Sequence, residues 1–185
     1  MKKILATILL SSSLVFATEN NKIVKIGQET SLKLMKALKF HLIKAMSESP
    51  YEAIDVCHKK ALKITKQIEK EIDHGIKIKR TSIRYRNPLN KPNKEELEAL
   101  EYFEKSFKEG KNPKYYIQKV KDGYNFYKPL KIKAICLTCH GNPKNMDKKL
   151  YEKIKKYYPE DKAINYKLED FRGVIKVYIP QELVK

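Results

Sequence analysis

The chain has 185 residues, 42% of them hydrophobic, and 40 Lys and Arg against 22 Asp and Glu give it a net charge of +18. That apolar content supports a packed core and excludes a disordered chain, despite a charged fraction of 34%. The length fits one domain with a short extension, and the Lys residues are spread along the chain rather than gathered into a nucleic-acid-binding arm.

The chain opens with Met1-Lys2-Lys3, an apolar run from Ile4 to Phe16, and the small-x-small triplet Val15-Phe16-Ala17. This pattern predicts a secretory signal peptide over residues 1–17 and a mature domain over 18–185. A membrane anchor fits less well, because a spanning helix needs roughly 20 apolar residues. No cysteine follows the run to carry a lipid anchor, and Lys interrupts every later apolar stretch. The expectation is a periplasmic protein with no transmembrane segment in the mature chain. Without Lys2 and Lys3 its charge is +16, suited to acidic protein partners or to peripheral contact with an anionic membrane. Export argues against nucleic acid as a partner.

Leu32, Met35, Leu38, Leu42 and Met46 recur at helical spacing and predict a helix over residues 28–47. Ser47 to Pro50 breaks it. A second helix is predicted over 51–72, with Ala53, Ile54, Cys57, Ala61, Ile64 and Ile68 on one apolar face. Ile76 to Tyr85 alternates as a strand does. A turn-rich stretch from Arg86 leads to Asn93, which can cap a helix over 94–108. Strands are predicted at Tyr115 to Val120 and Tyr124 to Ala134, with Asp122-Gly123 as the hairpin signal. A short helix at about 146–157 and a strand from Gly173 to Ile179 complete an α+β outline.

Cys136-Leu137-Thr138-Cys139-His140 is C-x-x-C-H, the attachment signature of a c-type haem. Two thiols three residues apart on one helical turn can form thioethers to the two vinyl groups of a single covalent haem c. The next residue, His140, then lies under the iron as an axial ligand. A thioredoxin-like dithiol would want a parallel crossover unit around the motif, and a zinc knuckle would need a second ligand pair. Neither is present in the sequence.

Of three cysteines, Cys57 is left over. It reads equally well as a small buried hydrophobe between Ile54 and Ala61 or as the second axial ligand. His41, His58, His74, Met35 and Met46 also compete for that position. His58 is rotated about one hundred degrees from Cys57 and is expected at the shoulder of the helix or in solvent. His41 can face inward, His74 is expected at the surface, and the two methionines are expected in the core. A sixth position open to a gas is a further alternative. Alternation along the strand would set Arg80, Arg84 and Arg86 on one face, where guanidinium groups suit haem propionates.

Several segments resemble one family in order. They are Ala53-Ile54-Asp55-Val56-Cys57, the run from Arg80-Thr81-Ser82-Ile83-Arg84-Tyr85-Arg86-Asn87-Pro88 through Leu89-Asn90-Lys91-Pro92-Asn93, and Tyr127-Lys128-Pro129-Leu130. Cys136 to Gly141, Tyr158 to Ala163 and Phe171-Arg172-Gly173 follow. They are those of the PAS-like monohaem c domain, found in small exported cytochromes and in sensory parts of bacterial signalling proteins. The resemblance runs from about residue 30 to 180. It implies a PAS-like antiparallel sheet with helices around it, and His/Cys ligation, with His140 matching the histidine ligand and Cys57 the cysteine. His58, directly after Cys57, departs from the pattern and can compete for the iron. A low-potential periplasmic electron carrier follows, with a redox or gas sensor acting through a partner as the alternative. The sequence holds no catalytic constellation beyond the haem, so no enzyme activity is expected.

Overall fold

The computed structural model describes the backbone of residues 2–185 and the side chains of residues 18–185. The signal-peptide expectation therefore falls on residues 1–17, whose side chains lie outside the described residues. Among the described residues, no helix is long and apolar enough to cross a membrane.

Helix α1 spans Lys2–Glu48. Ser49 caps the next helix, α2 (Pro50–Asp55), by accepting from the Glu52 N–H. A π-turn over Val56–Lys60 joins α2 to α3 (Ala61–Ile72). Strand β1 (Lys77–Thr81), helix α4 (Lys94–Lys108) and the hairpin of β2 (Tyr116–Val120) and β3 (Gly123–Lys131) follow. Then come α5 (Ala134–His140), α6 (Lys148–Tyr157) and β4 (Phe171–Pro180). The four strands form one antiparallel sheet in the order β1-β4-β3-β2. This is an α+β fold.

Alternation along the central strands sends side chains to two cores. Phe126, Ile175, Val177 and Ile179 pack with Ile23 and Leu34 of α1, and Tyr127 and Val174 pack with Leu100 and Phe103 of α4. Residues 123–127 of β3 are accordingly all buried. The hairpin forms, but its two-residue loop is Lys121-Asp122 and Gly123 pairs with Val120. A Cβ on Gly123 would lie 2.2 Å from the Ile179 carbonyl oxygen, so strand contact explains this glycine.

The predicted stripe of α1 packs in part, with Met35 and Leu38 against the sheet core and Leu42 and Met46 against α2, but the residues most deeply buried are others. Ile23, Gly27, Thr30, Ser31 and Leu34 are buried, whereas Leu32 is 43% exposed. Small residues let the helix approach the sheet, and a Cβ on Gly27 would come within 2.2 Å of the Phe126 ring. Neither partner can retreat from that contact. Gly27→Ala is expected to cost about 1–3 kcal/mol through overpacking. A urea midpoint equal to wild type would mean that α1 does not press on β3 there.

α4 begins with the predicted cap. Asn93 Oδ1 accepts from the Glu96 N–H at 2.8 Å, and Glu96 Oε2 accepts from the Asn93 N–H at 3.1 Å, a reciprocal capping box. Glu96 is 1% exposed and also pairs with Lys79 of β1 at 2.6 Å and Lys176 of β4 at 2.7 Å. One carboxylate thus joins a helix start to two strands.

Candidate functional site

Helix α5 brings Cys136, Cys139 and His140 to one face by their i, i+3, i+4 spacing. The segment 161–166 runs beside it as a strap. Tyr166 N–H donates to the His140 carbonyl at 3.0 Å, and Asn165 N–H to the Gly141 carbonyl at 2.8 Å. His140 Nδ1 lies 2.7 Å from the Ala163 carbonyl oxygen. A carbonyl only accepts, so Nδ1 carries the proton and Nε2 keeps its lone pair. Burial first, then Arg86 and Arg172, hold the imidazole well below its ordinary pKa, which keeps it neutral. Arg86 stitches the strap to α5, donating to the carbonyls of Cys139 and Ala163 and pairing with the fully buried Asp161 at 3.0 Å. Asp161 in turn accepts from the Ala163 N–H at 2.8 Å. These contacts account for Arg86 and for Asp161 and Ala163 of the Tyr158-to-Ala163 motif.

Cys57 lies in the π-turn, where the Ala61 N–H reaches back five residues to the Val56 carbonyl. The wide turn breaks the single apolar face predicted for residues 51–72. Ile54 packs on Leu150 and Ile154 of α6, Ala61 is buried, and Cys57 is exposed. The reading of Cys57 as a buried small hydrophobe is thereby corrected. A water-sized sphere reaches Cys57, yet surrounding protein desolvates the thiol and pushes its pKa up, against the pull of Arg80, Arg86 and Arg172. Both facts describe a residue on the wall of a narrow cleft. Its charge is also felt at Cys139, whose thiol burial pushes up to about 11. α2 is clamped to α6 by Asp55, which pairs with Lys153 at 2.8 Å and accepts from the Tyr157 hydroxyl at 3.0 Å.

The other candidates for the second axial position are dispersed. His58 does not point to solvent: it stacks on Tyr157 at 4.2 Å and meets Tyr158 edge-on at 5.3 Å, with Nδ1 buried and unpartnered. His41 lies edge-on to the exposed Phe40, and His74 is exposed. Met35 and Met46 pack against separate core clusters.

The single arginine face predicted for 80, 84 and 86 does not form, because β1 ends at Thr81 and the chain bends. Arg80 remains in the strand, strongly desolvated, with Cys57 as its first electrostatic attraction. Among the described residues its side chain has no hydrogen bond or ion pair. The Arg84 guanidinium lies 3.7 Å over the Tyr166 ring.

Arg172 was not singled out in the sequence. It is the extra residue of a β-bulge: Leu130 pairs with Gly173 and Lys131 with Phe171, leaving Arg172 unopposed. Bulges re-aim side chains beside functional sites. Gly173 is required next to it, because its φ is +141° and a Cβ would lie 2.4 Å from the Thr81 carbonyl oxygen. The one signal in the sequence was the Arg172-Gly173 pair itself.

Thiols, a neutral imidazole with a free Nε2 and a surplus of guanidinium groups thus come together at one cleft, where Asp161 is already paired with Arg86. Among the described residues, no three His, Cys, Asp or Glu side chains converge to hold a bare metal ion. The donor set fits a flat cofactor with a soft metal and carboxylate substituents better than a bare ion. A cavity of about 730 Å³ beside α5 is lined by Leu137, Thr138 and Gly141 with Tyr51, Leu150 and Tyr166, so it adjoins the cleft at the Tyr166 ring. It lacks Cys57, His140 and every arginine.

The fold is shared with the cyanobacterial heme-protein Tll0287, whose crystal structure matches with a TM-score of 0.64 and 23% sequence identity, over 85% of this chain and 95% of that one. No curated protein matches the chain. The family model Tll0287-like matches residues 3–180, nearly the whole length. The chain therefore belongs to the Tll0287-like family.

Proposed function

We propose that the protein is a periplasmic monohaem c-type cytochrome with a PAS-like domain, working as a low-potential electron carrier. Haem would attach to Cys136 and Cys139, with His140 and Cys57 as axial ligands. The observation that carries this reading is the pairing of C-x-x-C-H on α5 with a thiol that a π-turn has moved out of the core into the same cleft. The solved structure that shares its fold is that of a cyanobacterial heme-protein, which adds support. When bound, the haem would supply a one-electron couple, and a thiolate ligand would favour its oxidised state.

The protein's own residues prepare the site. Ala163 fixes the His140 tautomer, Arg86 holds α5 against the strap, and Arg80 offers a cation to the Cys57 sulfur. The basic surface would dock acidic redox partners. The second reading, a redox or gas sensor acting through a partner, draws on the π-turn, an uncommon and locally adjustable backbone at which a ligand can be released.

Production with a c-type haem maturation system tests the proposal. The protein should keep its haem through denaturing electrophoresis, and Cys136→Ala with Cys139→Ala should release it. A wild-type chain that leaves the maturation system without covalent haem would return the two cysteines to thiol chemistry.

A further inference from the structure

Four arginines surround the cleft, and their surroundings divide their roles. Arg86 is saturated by Asp161 and the carbonyls of Cys139 and Ala163. Arg80 does not lie on the Tyr166 ring that carries Arg84 and Arg172, and Cys57 is its first electrostatic attraction. Arg84 and Arg172 remain, and both sit on one ring: their guanidinium carbons lie 3.7 Å and 5.3 Å from the Tyr166 centroid. Arg172 also donates to the Arg84 carbonyl at 3.1 Å, which fixes one relative to the other. Tyr166 is buried and meets the His140 ring edge-on at 6.2 Å.

Neither guanidinium has a carboxylate partner among the described residues. Arg172 is half-buried, and desolvation lowers its pKa as does repulsion from Arg86 and Arg80. Cations taken out of water without an anion destabilise a fold, so such a pair implies a missing counter-charge. Stacking on an aromatic face leaves the in-plane N–H groups of a guanidinium free, which is the geometry for bidentate capture of a carboxylate. A β-bulge has been spent on aiming Arg172 here.

We infer that Arg84 and Arg172, braced on Tyr166, form a clamp for two carboxylates, so that the cleft selects a dicarboxylate porphyrin and holds its propionates at the Tyr166 edge. This rests on the haem reading above and adds to it the residues that recognise the propionates, Arg172 among them. Arg80, which does not lie on the Tyr166 ring, is left outside the clamp.

The test uses the full chain made without the attachment machinery, kept reduced, and titrated with haemin and with its dimethyl ester. Binding is read from the Soret band and from quenching of tyrosine fluorescence. The wild type should prefer haemin by more than about tenfold, since charge-assisted bonds to both carboxylates are lost in the ester. The Arg84→Gln/Arg172→Gln variant should bind the two compounds equally, Arg172→Lys should keep part of the preference, and Arg80→Gln should keep all of it. Equal wild-type affinity for the two compounds overturns the clamp, and that arm requires no variant to fold. A preference retained in the double variant moves the clamp elsewhere and overturns this assignment. Failure to bind either compound overturns a preformed clamp, whereas the haem reading stands or falls on covalent attachment in the maturation system.

Discussion

Cys57→Ser should abolish the low-spin thiolate signal of the ferric haem-loaded protein and raise its reduction potential by roughly 100 mV or more, within the ~0.8 V range that axial ligands command. The size of the effect follows from charge. A thiolate offsets the positive charge of oxidised iron, and a neutral serine hydroxyl or water does not. The protein should tolerate the change, because Cys57 is exposed to the cleft and belongs to no core cluster. Deleting Lys60, an exposed residue of the π-turn, tests the same geometry with the sulfur left in place. One residue fewer restores the ordinary i→i−4 pattern and should weaken the thiolate signal by redirecting Cys57. Paramagnetic resonance and a redox titration read both effects. A signal unchanged in Cys57→Ser would exclude the thiolate and return the position to His58, whose Nδ1 is buried and unpartnered beside it.

Glu96→Ala is expected to be the most damaging single change outside the cleft, with a loss of about 3 kcal/mol, the lower end for breaking a buried ion pair. The lower end applies because Lys79 and Lys176 keep 31% and 16% side-chain exposure and can rehydrate once the carboxylate is gone. The same change removes half of the α4 capping box. Burial acts to raise the Glu96 pKa, but Lys176 and Lys79 outweigh it, and the group ends below its ordinary value. A folded-state pKa below the unfolded one gives stability that is fully present above about pH 4.3 and is lost as pH falls through the folded value. The stability gap between wild type and Glu96→Gln should therefore shrink on acidification below about pH 4. A gap that stays constant across that range would mean that Glu96 is not ionised in the fold.

Much of the chain was legible from local chemistry. The Asn93 cap, the α4 limits, the hairpin and the final strand depend on near neighbours, and short-range rules reach them. C-x-x-C-H was legible for the same reason, since its chemistry is complete within one helical turn. The closest approach of α1 to the sheet was not, because Gly27, Thr30 and Ser31 carry no apolar signal and matter only once Phe126 lies beneath the helix. The shared arginine face failed because β1 stops at Thr81, where the chain must turn away to reach α4.

The sequence by itself determined the α+β class, the order of the elements, the two thiols and imidazole on α5, and the candidacy of Cys57. Only the tertiary structure decided where Cys57 and Arg172 point. Each sits at a one-residue irregularity, a π-turn in one case and a β-bulge in the other. An ideal helix or strand repeats every 3.6 or 2 residues, and sequence periodicity reads only that ideal. A single extra residue shifts the phase, and its position is set by packing on both sides. Ile54 held by α6 and Ala61 buried beyond it fix the first, and Gly173 pressed on Thr81 fixes the second.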